Sequence, residues 1–259
     1  MKKIILLCTL LYIALTGFGQ TTITIIATVH NKTKYITADT IYAAVNSFKP
    51  DLILLELDTS LMDDEGNFKK IDPNSNEMQV ALRYKKEHSN VLLRRFDVDY
   101  RNQYYKDHKT FVQENNMFKP IDSLFRNNAL NDTSWFIVSS LYAANQAMNN
   151  MGYMRLKDIN SQYFMSLASF RQNWLYKKVL GLIKNNPGLN QWYSFFKDDA
   201  DFWEMRNATM VKNIAAFARK YTNKSIVVMV GNYHKYALID SLKPLEKEGH
   251  FLLNAYSSQ

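Results

Sequence analysis

Two histidines and one glutamate stand at the ends of apolar runs that lie far apart in the chain. The run at residues 22–28 leads to His30, and the run at residues 225–230 leads through a short turn to His234. Glu56 stands near the end of a third apolar run, where a carboxylate is costly unless it is paired or coordinated. Two imidazoles and one carboxylate suit a divalent metal with open positions for water, or a general base with its orienting partners.

The segments that carry these residues predict an α/β architecture. β-branched and apolar runs predict strands, and apolar residues at helical spacing predict helices between them. In the first hundred residues the predicted elements alternate as strand, helix, strand, helix, strand, over residues 22–28, 37–48, 52–57, 78–88 and 91–96. This alternation is typical of a doubly wound fold with a mainly parallel central sheet flanked by helices.

The same pattern returns near the end of the chain. It predicts a buried strand, a tight turn, a helix and an edge strand, over residues 225–230, 231–234, 235–248 and 251–255. In an open parallel sheet, ligands bind beyond the carboxyl ends of the strands. Because His30, Glu56 and His234 all stand at such ends, we expect them to converge at one edge of the sheet.

A long helical insertion separates the two α/β parts. Residues from about 100 to 197 are helical in period, polar and rich in aromatic side chains, with their clearest turn at residues 185–188. We expect most of these aromatic residues to form a helical core over the sheet and a minority to line a substrate cleft. Asp198, Asp199 and Asp201 stand where the next helix is predicted to begin, which favours helix capping over metal binding.

Residues 1–19 have the organisation of a bacterial secretory signal peptide. A short positive segment and an apolar run precede the small residues Gly17 and Gly19, which mark a cleavage site after Gly19. The apolar run is shorter than the ~20 residues that a transmembrane helix needs. The sequence therefore predicts export to the periplasm or the medium, with residues 20–259 as a single α/β domain.

Composition narrows the classes of site and partner. The only cysteine, Cys8, lies in the predicted signal peptide, which excludes cysteine catalysis, disulfides and cysteine-ligated zinc in the mature chain. The net charge of +8 comes from scattered basic residues, which indicate solvated faces rather than a nucleic-acid surface. No second apolar run is long enough to form an integral membrane segment. We expect a soluble protein with a small-molecule or peptide substrate, and the sequence leaves its oligomeric state open.

A polar pair on the apolar face of a late helix adds to the candidate site. Apolar residues at helical spacing predict a helix that runs to about Tyr221, and Arg206 and Asn207 stand in or beside its apolar stripe. Buried arginine and asparagine side chains need hydrogen-bond partners. Arg206 is therefore a candidate to pair with Glu56 or to hold an oxyanion, and a purely structural salt bridge is the alternative.

Four short motifs occur in an order that resembles the TraB/GumN/Tiki superfamily, which is related to the erythromycin esterases and to the ChaN haem-binding lipoproteins. They are a strand leading to His30, then Glu56-Leu57-Asp58, then Arg206-Asn207 followed by Met210, and finally Gly231 with His234. Together they span nearly the whole predicted mature chain. The chain departs from the family at Ala27, three residues before His30, where the family turn usually has glycine.

The resemblance implies a hydrolytic site at the sheet edge, built from the two histidines and the glutamate. In Tiki-like members such a site supports metal-dependent peptide cleavage, and in erythromycin esterases the similar residues serve ester hydrolysis with a histidine as base. We therefore expect a hydrolase in which His30, Glu56 and His234 hold a divalent manganese, cobalt or zinc ion. Arg206 and Asn207 would orient Glu56 or stabilise the oxyanion. A non-catalytic protein that binds haem or a small molecule on the same fold is the alternative.

Overall fold

The computed structural model describes residues 20–256, and the predicted signal peptide lies outside them. It contains five strands: β1 Thr21–Thr28, β2 Leu52–Leu55, β3 Leu92–Arg95, β4 Ser225–Gly231 and β5 Phe251–Ala255. They form one sheet in the order β3-β2-β4-β1-β5, in which all neighbouring strands are parallel. The α/β fold with a parallel sheet, predicted from the alternation of strands and helices, is therefore confirmed.

Helices flank the sheet and fill the long segment between β3 and β4. In chain order they are α1 Ala38–Ser47, α2 Asn76–Glu87, α3 Arg101–Asp107, α4 Thr110–Arg126, α5 Asp132–Asn149, α6 Leu156–Ile159, α7 Gln162–Asn173, α8 Leu180–Asn185, α9 Tyr193–Lys220, α10 Lys235–Leu242 and α11 Glu246–Gly249. A π-helical segment, Trp174–Val179, joins α7 to α8. The predicted helical insertion is present. Within residues 20–256, no helix combines the length and the hydropathy that crossing a lipid bilayer requires.

Two hydrophobic cores flank the sheet, because successive side chains of a strand point to opposite faces. On one face Ile26, Leu55 and Met229 pack with α1, α2 and α7. On the other face Ile25 and Val228 pack with α9 and α10, and a third core lies within the insertion. Full burial of each aliphatic side chain contributes about 1.5–3 kcal/mol. A shift of one residue in register would move every side chain of a strand to the opposite face of the sheet. Burial of the apolar side chains therefore fixes the register, and with it the residues that follow the end of each strand.

The central strand β4 ends between β1 and β2. Thr28 of β1 pairs with Gly231, and Leu55 of β2 pairs with Met229. The sequence predicts that β2 continues to residue 57, and this boundary is wrong. The backbone turns immediately after Leu55, since the Leu57 N–H donates a hydrogen bond to the Leu55 carbonyl at 2.8 Å. Glu56 is therefore the first residue beyond the strand.

The prediction that three aspartates cap the helix before β4 is wrong. α9 begins at Tyr193, so Asp198, Asp199 and Asp201 lie inside the helix. The helix starts early because the 3-10 turn Asn190–Trp192 continues directly into it. Asp199 is buried in the insertion, while Asp201 forms an ion pair along the helix surface.

The predicted helix over residues 235–248 is divided into shorter elements. α10 ends at Leu242, a 3-10 turn follows, and α11 begins at Glu246. Pro244 lies at the break, because proline has no N–H to donate to the preceding turn of a helix. The predicted edge strand after it is confirmed as β5, which pairs with β1 alone among the described strands.

The Asn160 side chain takes the place of a strand residue at the end of β1. β5 pairs with β1 only as far as Ile25. Beyond that point Asn160 Oδ1 accepts a hydrogen bond from the Ala27 N–H at 2.8 Å, and its Nδ2 donates to the Ala27 carbonyl at 2.9 Å. The buried Lys235 Nζ donates to Asn160 Oδ1 at 2.7 Å. These bonds tie the insertion and α10 to the strand that leads to His30.

We expect Asn160→Ala to lower the free energy of unfolding by about 2–4 kcal/mol, because it leaves the buried N–H and carbonyl of Ala27 without partners and removes one of the acceptors of Lys235. Asn46→Ala, at an exposed position of α1, is the control and should change it by less than about 0.5 kcal/mol. Urea denaturation followed by circular dichroism measures both variants. Equal stabilities of the two variants would contradict this role of Asn160.

Candidate active site

A cavity of about 1250 Å³ opens at the carboxyl ends of β1, β2 and β4. His30, Glu56, Arg206 and His234 line this cavity, and Asn207 hydrogen-bonds to His234. The structure thus brings the five sequence-predicted residues to one place, although they come from opposite ends of the chain. The turns after β1, β2 and β4 deliver the two histidines and the glutamate, and α9 delivers the arginine and the asparagine.

Glu56 is buried between two hydrogen-bond donors. Its Oε1 accepts a hydrogen bond from Arg206 Nη2 at 2.9 Å, and its Oε2 accepts one from the Gly231 backbone N–H at 2.6 Å. Burial opposes ionisation of the carboxyl group. The positive charges of Arg206, His30 and Arg101 outweigh this effect and hold the pKa of Glu56 well below its ordinary value. Glu56 is therefore a carboxylate across the range of pH in which proteins are stable.

The Arg206 guanidinium joins two buried carboxylates. Its Nη2 lies 2.9 Å from Glu56 Oε1 and 2.6 Å from Asp97 Oδ2, and its Nε donates to Asp97 Oδ1 at 3.1 Å. Its Nη1 donates to the Tyr105 hydroxyl at 2.8 Å. Arg101 Nη1 donates to Asp97 Oδ2 at 3.0 Å and to the Glu56 backbone carbonyl at 2.9 Å. Two cations therefore balance two carboxylates through charge-assisted hydrogen bonds.

His234 is held as a neutral imidazole. Its Nδ1 donates to Asn207 Oδ1 at 2.7 Å, which leaves an unshared electron pair on Nε2. The ring stacks on Trp203 with the two centroids 4.1 Å apart, and burial lowers the pKa of His234 to about 3. Nε2 lies 3.6 Å from Glu56 Oε1, so one water molecule can contact both atoms.

His30 is held as an imidazolium at neutral pH. Its Nδ1 donates to Glu77 Oε1 at 3.1 Å, and the buried Glu77 also accepts a hydrogen bond from the Thr28 hydroxyl at 2.5 Å. The hydrogen bond to Glu77 raises the pKa of His30 to about 9, although the side chain is 59% exposed. Glu77 thereby sets both the orientation of the ring and its charge.

Gly231 leaves open the space in which Glu56 and His30 approach each other. A Cβ on this residue would lie 3.1 Å from Glu56 Oε2 and 3.5 Å from His30 Nε2. Its φ angle lies outside the left-handed region, so the need for glycine here is one of space and not of backbone conformation. The space above Gly231 is thus lined by a carboxylate oxygen on one side and an imidazole nitrogen on the other.

The side chains do not form a metal site as they stand. Within residues 20–256, no three His, Cys, Asp or Glu side chains lie close enough together to hold an ion. Both oxygens of Glu56 already accept hydrogen bonds, and the guanidinium of Arg206 is one of the donors. A divalent ion would add two positive charges to a cluster whose carboxylates are already balanced by arginines. This arrangement of donors therefore disfavours the expected manganese, cobalt or zinc ion, whose presence stays a prediction.

Four residues of the site are not predicted from the sequence: Glu77, Asp97, Arg101 and Tyr105. A sequence pattern near Glu77 could have placed it at the start of a helix. Ser75 is the N-cap of α2, where its side chain accepts a hydrogen bond from the Met78 N–H, so the helix begins before its first apolar residues. Asp97 had none, since its partner Arg206 stands 109 residues away in the chain.

A comparison with protein-family models, curated proteins and solved structures finds no match to the chain. The resemblance to the TraB/GumN/Tiki superfamily rests on the four motifs alone. A function for the protein must therefore follow from the chemistry of the cavity.

Arg206→Met preserves much of the side-chain volume but leaves Glu56 and Asp97 without their shared cation. We expect the free energy of unfolding at pH 7 to fall by about 3–5 kcal/mol. Arg219→Met, at an exposed position of the same helix, is the matched control and should have little effect. Chemical denaturation at pH 5 and pH 7 measures both variants. The loss should be smaller at pH 5, because carboxylates without a cation take up protons, and a loss that grows towards acid pH would contradict the assignment.

Proposed function

We propose that the protein is a hydrolase that cleaves an ester or peptide bond beside Glu56. The observation that carries this proposal is that two imidazoles line one cavity with different partners, since His30 Nδ1 contacts a carboxylate and the buried His234 Nδ1 contacts an amide oxygen. The pKa of His30 is raised to about 9 and that of His234 is lowered to about 3. Sites that use an acid and a base at the same pH separate the two pKa values in this way. His234 is accordingly the base and His30 the acid.

His234 receives the proton of the attacking water, and Glu56 orients that water. A water in contact with His234 Nε2 and Glu56 Oε1, which lie 3.6 Å apart, is oriented by both. When its oxygen attacks the substrate carbonyl carbon, its proton passes to His234 Nε2. The imidazolium that forms then lies beside the carboxylate of Glu56, whose charge stabilises it in a buried setting. Asn207 keeps Nδ1 as the protonated nitrogen, so that Nε2 is the atom that accepts.

His30 supplies the positive charge and the proton that the other half of the reaction needs. Its Nε2–H lies beside the space above Gly231, where it can donate to the carbonyl oxygen as that oxygen becomes negative. When the tetrahedral intermediate collapses, the bond to the leaving group breaks and the leaving group takes the proton from His30 Nε2. Transfer of the proton on His234 to solvent, and uptake of one by His30, restores the starting state.

The resemblance to the TraB/GumN/Tiki superfamily supports hydrolysis, and its Tiki-like members favour a metal ion, which stays a prediction. Export to the periplasm or the medium also stays a prediction, and N-terminal sequencing of the mature protein tests it. A small molecule or a peptide is the expected substrate.

A non-catalytic binding protein is the second candidate, and the size of the cavity is the observation that favours it. A volume of about 1250 Å³ exceeds the range of about 300–1,000 Å³ that is usual for small-molecule sites. Tight binding of haem or another ligand, without turnover of any ester or peptide, would support this candidate against the hydrolase.

We expect His30→Ala, Glu56→Gln and His234→Ala each to lower kcat/KM by about 10²–10⁴-fold, because each removes one part of the proton-transfer system. A panel of esters and peptides identifies the substrate, and circular dichroism checks that each variant folds. His88→Ala, at an exposed position outside the cavity, is the control and should keep full activity. Full activity of Glu56→Gln would exclude the mechanism even if the wild-type protein is a hydrolase.

The pH dependence of kcat/KM tests whether His30 acts as an acid or as a base. An acid must hold its proton, so kcat/KM should fall as the pH rises through about 9. Glu77→Gln removes the charge that stabilises the imidazolium, and should move this fall towards pH 6.5, the ordinary pKa of histidine. Glu87→Gln on the same helix is the control. An activity that rises through pH 9 would show that His30 acts as the base.

Chelation tests the dependence on a metal ion. Because two arginines already balance Glu56 and Asp97, we expect activity to survive dialysis against a chelator and to gain nothing from added manganese, cobalt or zinc. Measurement of the metal content of the dialysed protein is the accompanying control. A loss of activity that one of these ions restores would establish the metal-dependent mechanism instead.

A further inference from the structure

The cavity carries exposed apolar side chains beside the proposed catalytic residues. Ile71 and Phe111 both line it, and they are 51% and 65% exposed. Leu61 and Met78 line the same cavity and extend its apolar surface inward. Large apolar side chains that are exposed around one concave surface mark a place that a ligand covers.

Basic side chains stand at the same cavity without acidic partners. Lys70 and Lys106 line it and are exposed, and within residues 20–256 neither ammonium group forms an ion pair. The other cations of the cavity, such as Arg206, are already matched by buried carboxylates. Asp72 is the one further carboxylate that the described lining contains. The free charge of the cavity is therefore positive.

We infer, on the basis of the proposed hydrolase, that the substrate is an anionic amphiphile: an ester or amide with a long apolar group and a carboxylate. The apolar group covers Ile71 and Phe111, and the carboxylate pairs with Lys70 and Lys106. The volume of about 1250 Å³ accommodates such a molecule together with the water that attacks it. A short neutral ester would leave both the apolar side chains and the lysines uncovered.

Binding of three probes tests separately whether the cavity recognises the apolar chain and whether it recognises the carboxylate. Octanoate carries the chain and the charge, octanol carries the chain alone, and acetate carries the charge alone. With the whole chain in isothermal titration calorimetry, we expect octanoate to bind about tenfold more tightly than octanol. It should bind at least about a hundredfold more tightly than acetate, because six further methylene groups leave water. Acetate binding as tightly as octanoate, or octanol binding as tightly as octanoate, would overturn the inference.

Substitution of the two lysines tests whether they bind the carboxylate. Lys70→Ala combined with Lys106→Ala should abolish the preference for octanoate over octanol and leave octanol binding unchanged. Lys69→Ala, at the neighbouring exposed lysine that does not line the cavity, is the control. A preference that survives the double substitution would contradict the assignment of the charge.

The apolar part has its own pair of variants. Phe111→Ser should weaken octanoate and octanol to the same extent, by about tenfold or more. Phe136→Ser, at a similarly exposed phenylalanine outside the cavity, is the control. Loss of octanoate binding in the control, or none in Phe111→Ser, would contradict the assignment of the apolar wall.

Turnover distinguishes failure of this inference from failure of the proposed hydrolase. We expect p-nitrophenyl octanoate to be cleaved with a kcat/KM at least about tenfold above that of p-nitrophenyl acetate. If octanoate binds as expected but no ester or amide is cleaved, the amphiphile site stands and the hydrolase is contradicted. If the acetate ester is cleaved better and octanoate does not bind, the hydrolase stands and the inference is overturned.

Discussion

The contact of one guanidinium with two buried carboxylates holds the site together. Arg206 comes from α9, which packs against one face of the sheet, while Glu56 and Asp97 follow the ends of β2 and β3. A buried carboxylate without a cation is costly, and two of them side by side would be more so. The position of α9 relative to the sheet is therefore set by polar as well as apolar contacts. Because Asn207 follows Arg206 in the chain, the same helix position also orients His234.

The arginines also decide which group can accept a proton. With Arg206 and Arg101 beside it, Glu56 is too weakly basic to serve as the base by itself. It contributes instead as a fixed negative charge between two imidazoles. His234 is buried and neutral, whereas His30 is exposed and paired with Glu77, so burial and a single carboxylate separate two chemically identical groups. The difference between them lies in their surroundings and not in the residue type.

Hydrophobic patterning sufficed to predict the fold and the edge of the sheet at which the candidate residues meet. The strand runs before His30 and His234 are long and apolar, and their order along the chain identifies the α/β class. The electrostatic partners were beyond prediction because they are tertiary. Nothing near Asp97 distinguishes it from Asp99, yet Asp97 is fully buried while Asp99 forms an exposed ion pair.

Local patterns were misleading where a boundary depends on backbone geometry. The aspartates of α9 resemble caps because acidic residues are common in first turns, but the helix had already begun in the preceding aromatic segment. β2 stops one residue before Glu56 although the apolar run continues to Leu57. The hydrophobicity of this run predicts that its residues are buried, but it does not predict where the strand ends.

The order of the strands determines when the site can first exist during folding. β1 is made early, but both of its neighbours in the sheet, β4 and β5, follow about 200 residues later in the chain. β2 and β3 can pair soon after synthesis, whereas β1 has no partner until the C-terminal part of the chain has emerged. Such non-local pairing slows folding, because the chain loses the entropy of closing a long loop before the stabilising contacts form. His30 and His234 can therefore come together only after the C-terminal strands have been made, and until then β1 is an apolar strand with neither of its neighbours in the sheet.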